Sequence, residues 1–455
     1  MNLDSILRRK DSKIHFIGIG GVSMSSLAKL LLDDGHYITG SDMNENENVL
    51  KLKSCNIDIN VGHSKDNIKN CDLVVYTAAI SKDNPELKEA ERKGILTVER
   101  CELLGAVMKK YKYPINISGT HGKTTTTSMF AGVFVDGNKN PTVSIGGDYN
   151  KIGGNLKIGE KEYFICEACE YVESFLKFYP YATVILNIEE DHLDYFRDIE
   201  HIKSSFLKFA NRTDENGFVI LNGEDKNCMD IKDKINRKVY TFGLSEQCDC
   251  YAKNIEIENG RPVYDLYISG NYKGKIRLSV YGMHNVLNSL ATILCADIFG
   301  VEFETAKESL YEFTGAKRRF EYKGKFNNAE IYDDYAHHPT EIKTAIESAK
   351  KKEYDNLYVV FQPHTYTRTK AFLDEFAEVL RMGENVIITD IYAAREKNTL
   401  GITSKDLSDK IPNAKYIGTL ESAEEELRKT VKENDLVVTI GAGDVYKIGE
   451  SLVRI

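Results

Sequence analysis

Residues 119–127 read GTHGKTTTT, with a lysine between glycine and threonine, the trio that grips nucleotide phosphates. The usual phosphate loop, G-x-x-x-x-G-K-[ST], asks for glycine at position 117, where this chain has Ile117. A shorter loop can still do the work. INIS before it is strand-like and KTTTTSMFAGVFV continues as a helix, so backbone amides from Gly119 to Gly122 would wrap phosphate oxygens. Lys123 would reach the β,γ bridge, and the Thr124 hydroxyl would ligate Mg2+. Four consecutive threonines make a poor helix interior, which favours a use for their hydroxyls.

Mg2+ needs an acidic partner. Glu167 ends the apolar run YFIC, and ATVILNIEEDHLDYF ends in a polar cluster with Asp191 and His192, in the same block as the loop. A second glycine-rich turn places Gly18, Gly20 and Gly21 between a strand-like and a helical run, with Asp42 closing the next strand. There backbone N–H groups approach a diphosphate at a helix N-terminus. Ser23 replaces the third glycine of G-x-G-x-x-G, so a dinucleotide, another diphosphate and a plain tight turn all stay open. Asn285 and Asn288 share one face of the helix-like YGMHNVLNSLATILCA, and carboxamides pair with both donors and acceptors on an adenine edge. Arg318 and Arg319 sit at a block junction, where an arginine can swing onto transferring phosphate. DDYAHHPT (333–340) and QPHTYTRT (362–369) bring Asp333, Tyr335, His337, His364 and Arg368 to turns after apolar strands, more polar functionality than turns need.

These residues need a scaffold, and the chain supplies it three times. Apolar β-rich runs, Gly-rich or polar turns and helix-period segments alternate, the grammar of parallel α/β sheets. The first block fades near 111–114, the second ends around 315–320, and the third fills the remainder of the 455 residues. With 42% hydrophobic and 28% charged residues the composition is that of a globular protein, and a net charge of -9 lacks a nucleic-acid binder's basic footprint. Charges interrupt the N-terminal segment where a secretory signal needs an apolar run, and no apolar run approaches about 18 residues. The expectation is a cytoplasmic protein without membrane insertion, and nothing in the sequence sets an oligomeric state. Nine irregularly spaced cysteines fit reduced thiols, and the C-E-A-C pair Cys166 and Cys169, lacking a partner pair, fits core packing.

In order along the chain, HFIGIGGVSMSSLA, GTHGKTTTT, EACEYVESFL, NIEEDHLDYF, GMHNVLNSLA, RRF, DDYAHHPTEI and QPHTYTRT resemble the Mur ligase family of peptidoglycan synthesis. The resemblance covers essentially the whole chain. It implies an α/β fold of three domains: 1–110, Rossmann-like, for a UDP substrate; 111–316, P-loop ATPase-like; and 317–455, Rossmann-like, for an amino acid. The implied activity is ATP-dependent joining of L-alanine to the lactyl carboxylate of UDP-N-acetylmuramate through an acyl phosphate, with Mg2+ required and Mn2+ tolerated. Gly18, Gly20 and Gly21 would hold the UDP diphosphate, with Ser41, Asp42, Thr77 and Ala78 near the uridine. Gly119, Thr120, His121, Gly122, Lys123, Thr124 and Thr125 would hold ATP phosphates, and Asn285 and Asn288 would read adenine. Thr124, Glu167 and His192 would ligate metal. Arg318 and Asp333 would act across the domain cleft, while Tyr335, His337, His364 and Arg368 would surround the amino acid. Lys123, His192, Arg318, Asp333 and His337 form the implied catalytic set. Thr365 and Cys169 depart from the family's frequent Arg and Asp. A competing oxidoreductase reading of the first loop has no need of the Lys-Thr loop, and an ATP-gated sensor has no need of the polar turns in block three.

Overall fold

Short runs rich in Val, Ile, Leu and Phe form the strands, because β-branched and aromatic side chains suit a sheet buried on both faces. In the computed structural model, which describes residues 2–454 apart from Ala78, Asp194 and Arg395, the strands gather into three sheets. The first has five parallel strands in the spatial order Asp58–Val61, Tyr37–Asp42, Lys13–Ile17, Leu73–Tyr76 and Leu96–Glu99. Strand order reverses beside Lys13–Ile17, and ligands of such sheets sit at that switch point, outside the C-terminal strand ends. Gly18, Gly20 and Gly21 occupy it.

The second sheet has ten strands. At its centre Tyr113–Ser118 lies parallel between Ala182–Ile185 and Tyr163–Glu167, so the phosphate loop, Glu167 and the 186–192 segment leave the same edge. Cys250–Glu258, Arg261–Ile268 and Asn271–Arg277 extend it as an antiparallel meander, which strand–helix alternation did not anticipate. Its turns carry positive φ at Asn259 (51°), Gly260 (78°), Ser269 (50°) and Gly270 (76°), the two-residue geometry that matches strand twist. In the six-stranded third sheet, Glu321–Phe326 pairs antiparallel with Ala329–Asp334; then come Leu436–Ile440, Leu357–Phe361, Asn385–Thr389 and Ala414–Gly418, all parallel.

One continuous apolar core joins the first unit to the second, with Leu103 and Met108 in the same cluster as Phe175, Phe178 and Phe206. Gly105 permits that approach, since a Cβ there would lie 1.9 Å from the Lys177 carbonyl oxygen. The third sheet has cores of its own. Cys166 is buried against Asn116 and forms no disulfide, in keeping with a packing role. Among the described residues no helix is long and apolar enough to cross a membrane.

Candidate active site

Strand Tyr113–Ser118 delivers the phosphate loop and helix Lys123–Asp136 carries it away. Gly122 is the N-cap at φ 80°, and a Cβ there would press on Asn288 Oδ1 at 3.2 Å. No side chain caps the helix, so its first amides are left for an anion at the positive end of the dipole. The amides expected to wrap phosphate are not all open. Thr120 N–H donates to the Asn187 carbonyl (3.2 Å) and His121 N–H to Asn187 Oδ1 (2.8 Å), which shifts the cradle to the Gly122–Thr125 side. Lys123 Nζ donates to the Gly119 carbonyl, to the Thr120 carbonyl at 3.0 Å and to Glu170 Oε2 at 3.0 Å. Burial opposes its charge, yet Glu170 outweighs burial and raises its pKa.

Thr124 Oγ1 donates to Glu167 Oε2 at 3.2 Å, and Gly146 N–H to Glu167 Oε1 at 2.6 Å. Burial pushes the pKa of Glu167 up against the pull of Arg319 and Lys123. A buried carboxylate beside a hydroxyl is an all-oxygen donor set that fits a hard divalent ion, and Thr124 and Glu167 would hold it. His192 is placed with other partners: Nε2 lies 3.9 Å from Glu170 Oε1 and 3.6 Å from Asp191 Oδ2, with the Tyr171 ring at 4.5 Å.

A cavity of about 690 Å3 opens between the second and third units, lined by His121, Thr125, Asn285, Asn288, Arg319 and Asp334. Asn285 Nδ2 donates to the Tyr281 carbonyl (2.7 Å) and Asn288 Nδ2 to Asn285 Oδ1 (3.0 Å), which leaves Asn288 Oδ1 as an acceptor at the cavity lining. The two adjacent arginines diverge. Arg318, at φ 59°, donates Nε to Asp333 at 3.0 Å and its Nη atoms to the Gly441 and Gly443 carbonyls, with Tyr335 and Tyr446 stacked on it at 4.8 and 4.4 Å. Asp333 is fully buried and also accepts from Thr439 Oγ1 at 2.6 Å. The pair expected to act across the cleft is therefore bound to itself inside the third unit, because a carboxylate so buried needs its cation. Arg319 instead reaches across, its Nη2 at 3.5 Å from Thr124 Oγ1. Beside it, burial pushes Asp334 up to about 7 against the pull of Arg319.

A second cavity, about 620 Å3, is lined by Tyr171, Asp191, His192, His364, Arg368 and Lys370. Arg368 Nη2 donates to Asp191 Oδ1 at 3.0 Å, and Arg368 offsets burial to hold that carboxyl well below the usual range. Burial lowers both His337 and His364 to about 4, so these rings, 5.9 Å apart, are neutral. At the first sheet, Gly20 N–H donates to Asp42 Oδ2 at 2.8 Å, and a Cβ on Gly20 would lie 2.8 Å from Asn46 Nδ2. Ser41 is buried and donates to Glu86 Oε2 at 2.6 Å, while Thr77 Oγ1 accepts from Ala79 N–H at 3.1 Å. Ala78 lies outside the described residues.

Family models match this architecture in order: the Mur ligase family catalytic domain over residues 13–112, the Mur ligase middle domain over 117–296 and the Mur ligase glutamate ligase domain over 318–443. The chain belongs to the Mur ligase family. The UDP-N-acetylmuramate–L-alanine ligase of Acetivibrio thermocellus is 48% identical over 451 residues, spanning 98% of this chain and 96% of the relative. The enzyme of that name from Clostridium novyi is 47% identical over 454 residues, 99% of each chain. The crystal structure of UDP-N-acetylmuramate-alanine ligase from Thermotoga maritima superposes with a TM-score of 0.82 at 30% identity, covering 97% of this chain and 98% of that one. Mur ligases are ATP-dependent and use a divalent metal ion.

In this Mur ligase the phosphate loop is also tied to the third unit. His121 Nδ1 lies 3.1 Å from Glu341 Oε1 and Nε2 lies 3.4 Å from Glu189 Oε2. Burial opposes the imidazolium, yet the two carboxylates push it up to about 9. Sequence reasoning missed Glu170, Asn187 and Glu341, and it passed over Arg319 for its neighbour. Only Glu170 left a signal, as the second acid of E-A-C-E directly after a strand end.

Proposed function

We propose that this Mur ligase joins L-alanine to the lactyl carboxylate of UDP-N-acetylmuramate, splitting ATP to ADP and phosphate. The observation that carries the reading is that relatives of that name align over 98–99% of this chain at 47–48% identity. The divisions 1–110, 111–316 and 317–455 take the nucleotide sugar, ATP and the amino acid in turn, supported by one sheet lying within each. The substrates are small molecules and the reaction is placed in the cytoplasm.

A carboxylate is a poor acyl donor. Its oxygen therefore attacks the γ-phosphorus in line, the bond to the bridging oxygen breaks, and ADP leaves an acyl phosphate behind. Lys123 and the open amides of Gly122 to Thr125 stabilise charge at the bridge, and Arg319 beside Thr124 faces the transferring group. A divalent cation held by Thr124 and Glu167, Mg2+ or in its place Mn2+, supplies further neutralisation of phosphoryl charge. Arg368 and Lys370 then hold the alanine carboxylate while its amine attacks the acyl carbon and the tetrahedral intermediate expels phosphate. His337 and His364, kept neutral, are available to accept the amine proton.

Turnover with 18O in the lactyl carboxylate tests the route. One labelled oxygen should leave in each phosphate released, and unlabelled phosphate contradicts an acyl phosphate. Activity titrated against Mg2+ and Mn2+ in wild type and His192→Ala tests the metal set. A shifted curve adds His192 to the ligands, and coincident curves confine them to Thr124, Glu167 and phosphate oxygens.

A further inference from the structure

Among the described residues, one group of three His, Cys, Asp or Glu side chains brings its donor atoms within 4.8 Å of one another: His121, Glu189 and His338. They come from the phosphate loop, the segment after strand Ala182–Ile185 and the turn before helix Pro339–Ala349, so the group spans the cleft between the second and third units. It is separate from Thr124 and Glu167. Each member is held as a metal ligand is held. His121 Nδ1 donates to Glu341 Oε1 at 3.1 Å, which fixes the tautomer whose Nε2 carries the lone pair. That Nε2 is buried, has no hydrogen-bond partner among the described residues and faces Glu189 Oε2 at 3.4 Å. His338 is 5% exposed, and its Nε2 donates to the Glu190 carbonyl at 3.1 Å, so its lone pair is on Nδ1, which the Thr340 N–H approaches only to 3.4 Å. Glu189 Oε2 accepts from Thr340 Oγ1 at 2.8 Å. A carboxylate behind one imidazole, a carbonyl behind the other and a hydroxyl on the third ligand are the outer partners that orient metal ligands. An ion pair between His121 and its two carboxylates has no need of a second imidazole.

We propose that His121, Glu189 and His338 form a regulatory site for a transition-metal ion of the Zn2+ type, and that an ion bound there ties the third unit to the phosphate loop and slows turnover. Two nitrogens and one carboxylate oxygen suit Zn2+, whereas Mg2+ asks for oxygen alone. On binding, the ion takes the place of the proton on His121 Nε2, which leaves to solvent, and the carboxylates of Glu189 and Glu341 match its two charges. Three protein ligands leave one tetrahedral position for water from the 690 Å3 cavity, which His121 and Glu189 line and through which the ion enters. Slower turnover follows because metal–ligand bonds across the cleft replace an ion pair that exchanges for water at small cost, and substrates enter and products leave when the cleft opens. The site stands on geometry alone, while the slowing of turnover rests on the proposed function.

Zn2+ titrated into the nucleotide-free protein against a chromophoric chelator, with Co2+ absorption alongside, tests the site. One ion should bind per chain, with the visible bands of tetrahedral Co2+ and without the thiolate charge-transfer absorption that cysteine ligands add. Glu189→Gln and His338→Asn, the second retaining a helix-capping side chain, should each weaken binding by at least about 100-fold, beyond the roughly 10- to 100-fold that losing an outer partner costs. Phosphate release at saturating Mg2+ and ATP should then fall on adding Zn2+ to wild type and hold in both variants, each measured against its own zinc-free rate. No ion bound by wild type, thiolate absorption from the bound Co2+, or equal affinity in wild type and both variants overturns the site. Equal inhibition in all three proteins overturns the regulatory role and puts the inhibiting ion at Thr124 and Glu167. Wild type that releases no phosphate even without zinc sinks the proposed function and leaves the binding result standing.

Discussion

Lys123 and Glu170 form a buried ion pair at the entrance to the phosphate helix, so the lysine has a structural duty beside its chemical one. Lys123→Ala should lower kcat by more than about 10²-fold, as loss of a positioned charge does. It should also lower the melting temperature, because it removes the cation paired with the buried Glu170. Steady-state rates on the folded fraction, with thermal unfolding alongside, check both, and near-normal turnover contradicts the assignment. The two arginines offer a sharper contrast. Arg319→Ala should cut kcat and spare stability, whereas Arg318→Ala should destabilise the protein by about 3–5 kcal/mol by stranding Asp333. Thermal unfolding and single-turnover phosphate release separate them, and the reverse pattern would return Arg318 to the cleft. Sequence made the residue types legible here but not their directions. Positive φ at Arg318 (59°) and Phe320 (47°) turns neighbouring side chains to opposite sides, and nothing in R-R-F announces that. Glu167 was found because it ends a strand, while Glu170 was not, because its role depends on Lys123 folding back over 47 residues of separation.

Helix Pro339–Ala349 is the element that joins the third unit to the phosphate loop. His338 caps it and bonds the Glu190 carbonyl (3.1 Å), Thr340 donates to Glu189 Oε2 (2.8 Å), and Glu341 holds His121. The imidazolium raises a pH dependence whose sign follows from its pKa. A histidine raised from about 6.5 to about 9 contributes its full stabilisation below the ordinary value and loses it as pH rises through about 9. Other groups face it: Glu189 and Glu341 are held low and stay ionised, and His338 is lowered and stays neutral. Asp334, raised from 3.8 to about 7, loses its contribution as pH rises from about 4 to about 7, below the window of the histidine. Melting temperature should therefore fall more steeply from pH 7 to 9.5 in wild type than in His121→Gln, and parallel profiles would remove the histidine from the clamp. The turns that frame this site were readable, since each follows an apolar run and local chemistry marks it. The antiparallel meander was not, although Asn259-Gly260 and Ser269-Gly270 are two-residue turn signals between strand-like runs.

At the scale of the molecule, the first two units share one apolar core and form a base, while the third reaches it mainly through charged or polar contacts of His121, Arg319 and Arg368, with the Tyr281 and Phe320 rings 5.8 Å apart beside them. Apolar contacts are short-ranged and resist hinge motion, whereas ion pairs at a domain boundary exchange for water at small cost, so opening belongs to the third unit. That division was invisible in the sequence, because each block shows the same apolar periodicity and periodicity does not say which faces meet. With the proposed function it suits a reaction whose intermediate water would destroy, the third unit closing over substrates held on the base. With the proposed function, all three substrates meet in one site. Phosphate release followed with ATP, UDP-N-acetylmuramate and a panel of single amino acids tests it directly. Stoichiometric release that requires all three components, with L-alanine the best acceptor, is the predicted result, and release that proceeds without UDP-N-acetylmuramate or without any amino acid would contradict it.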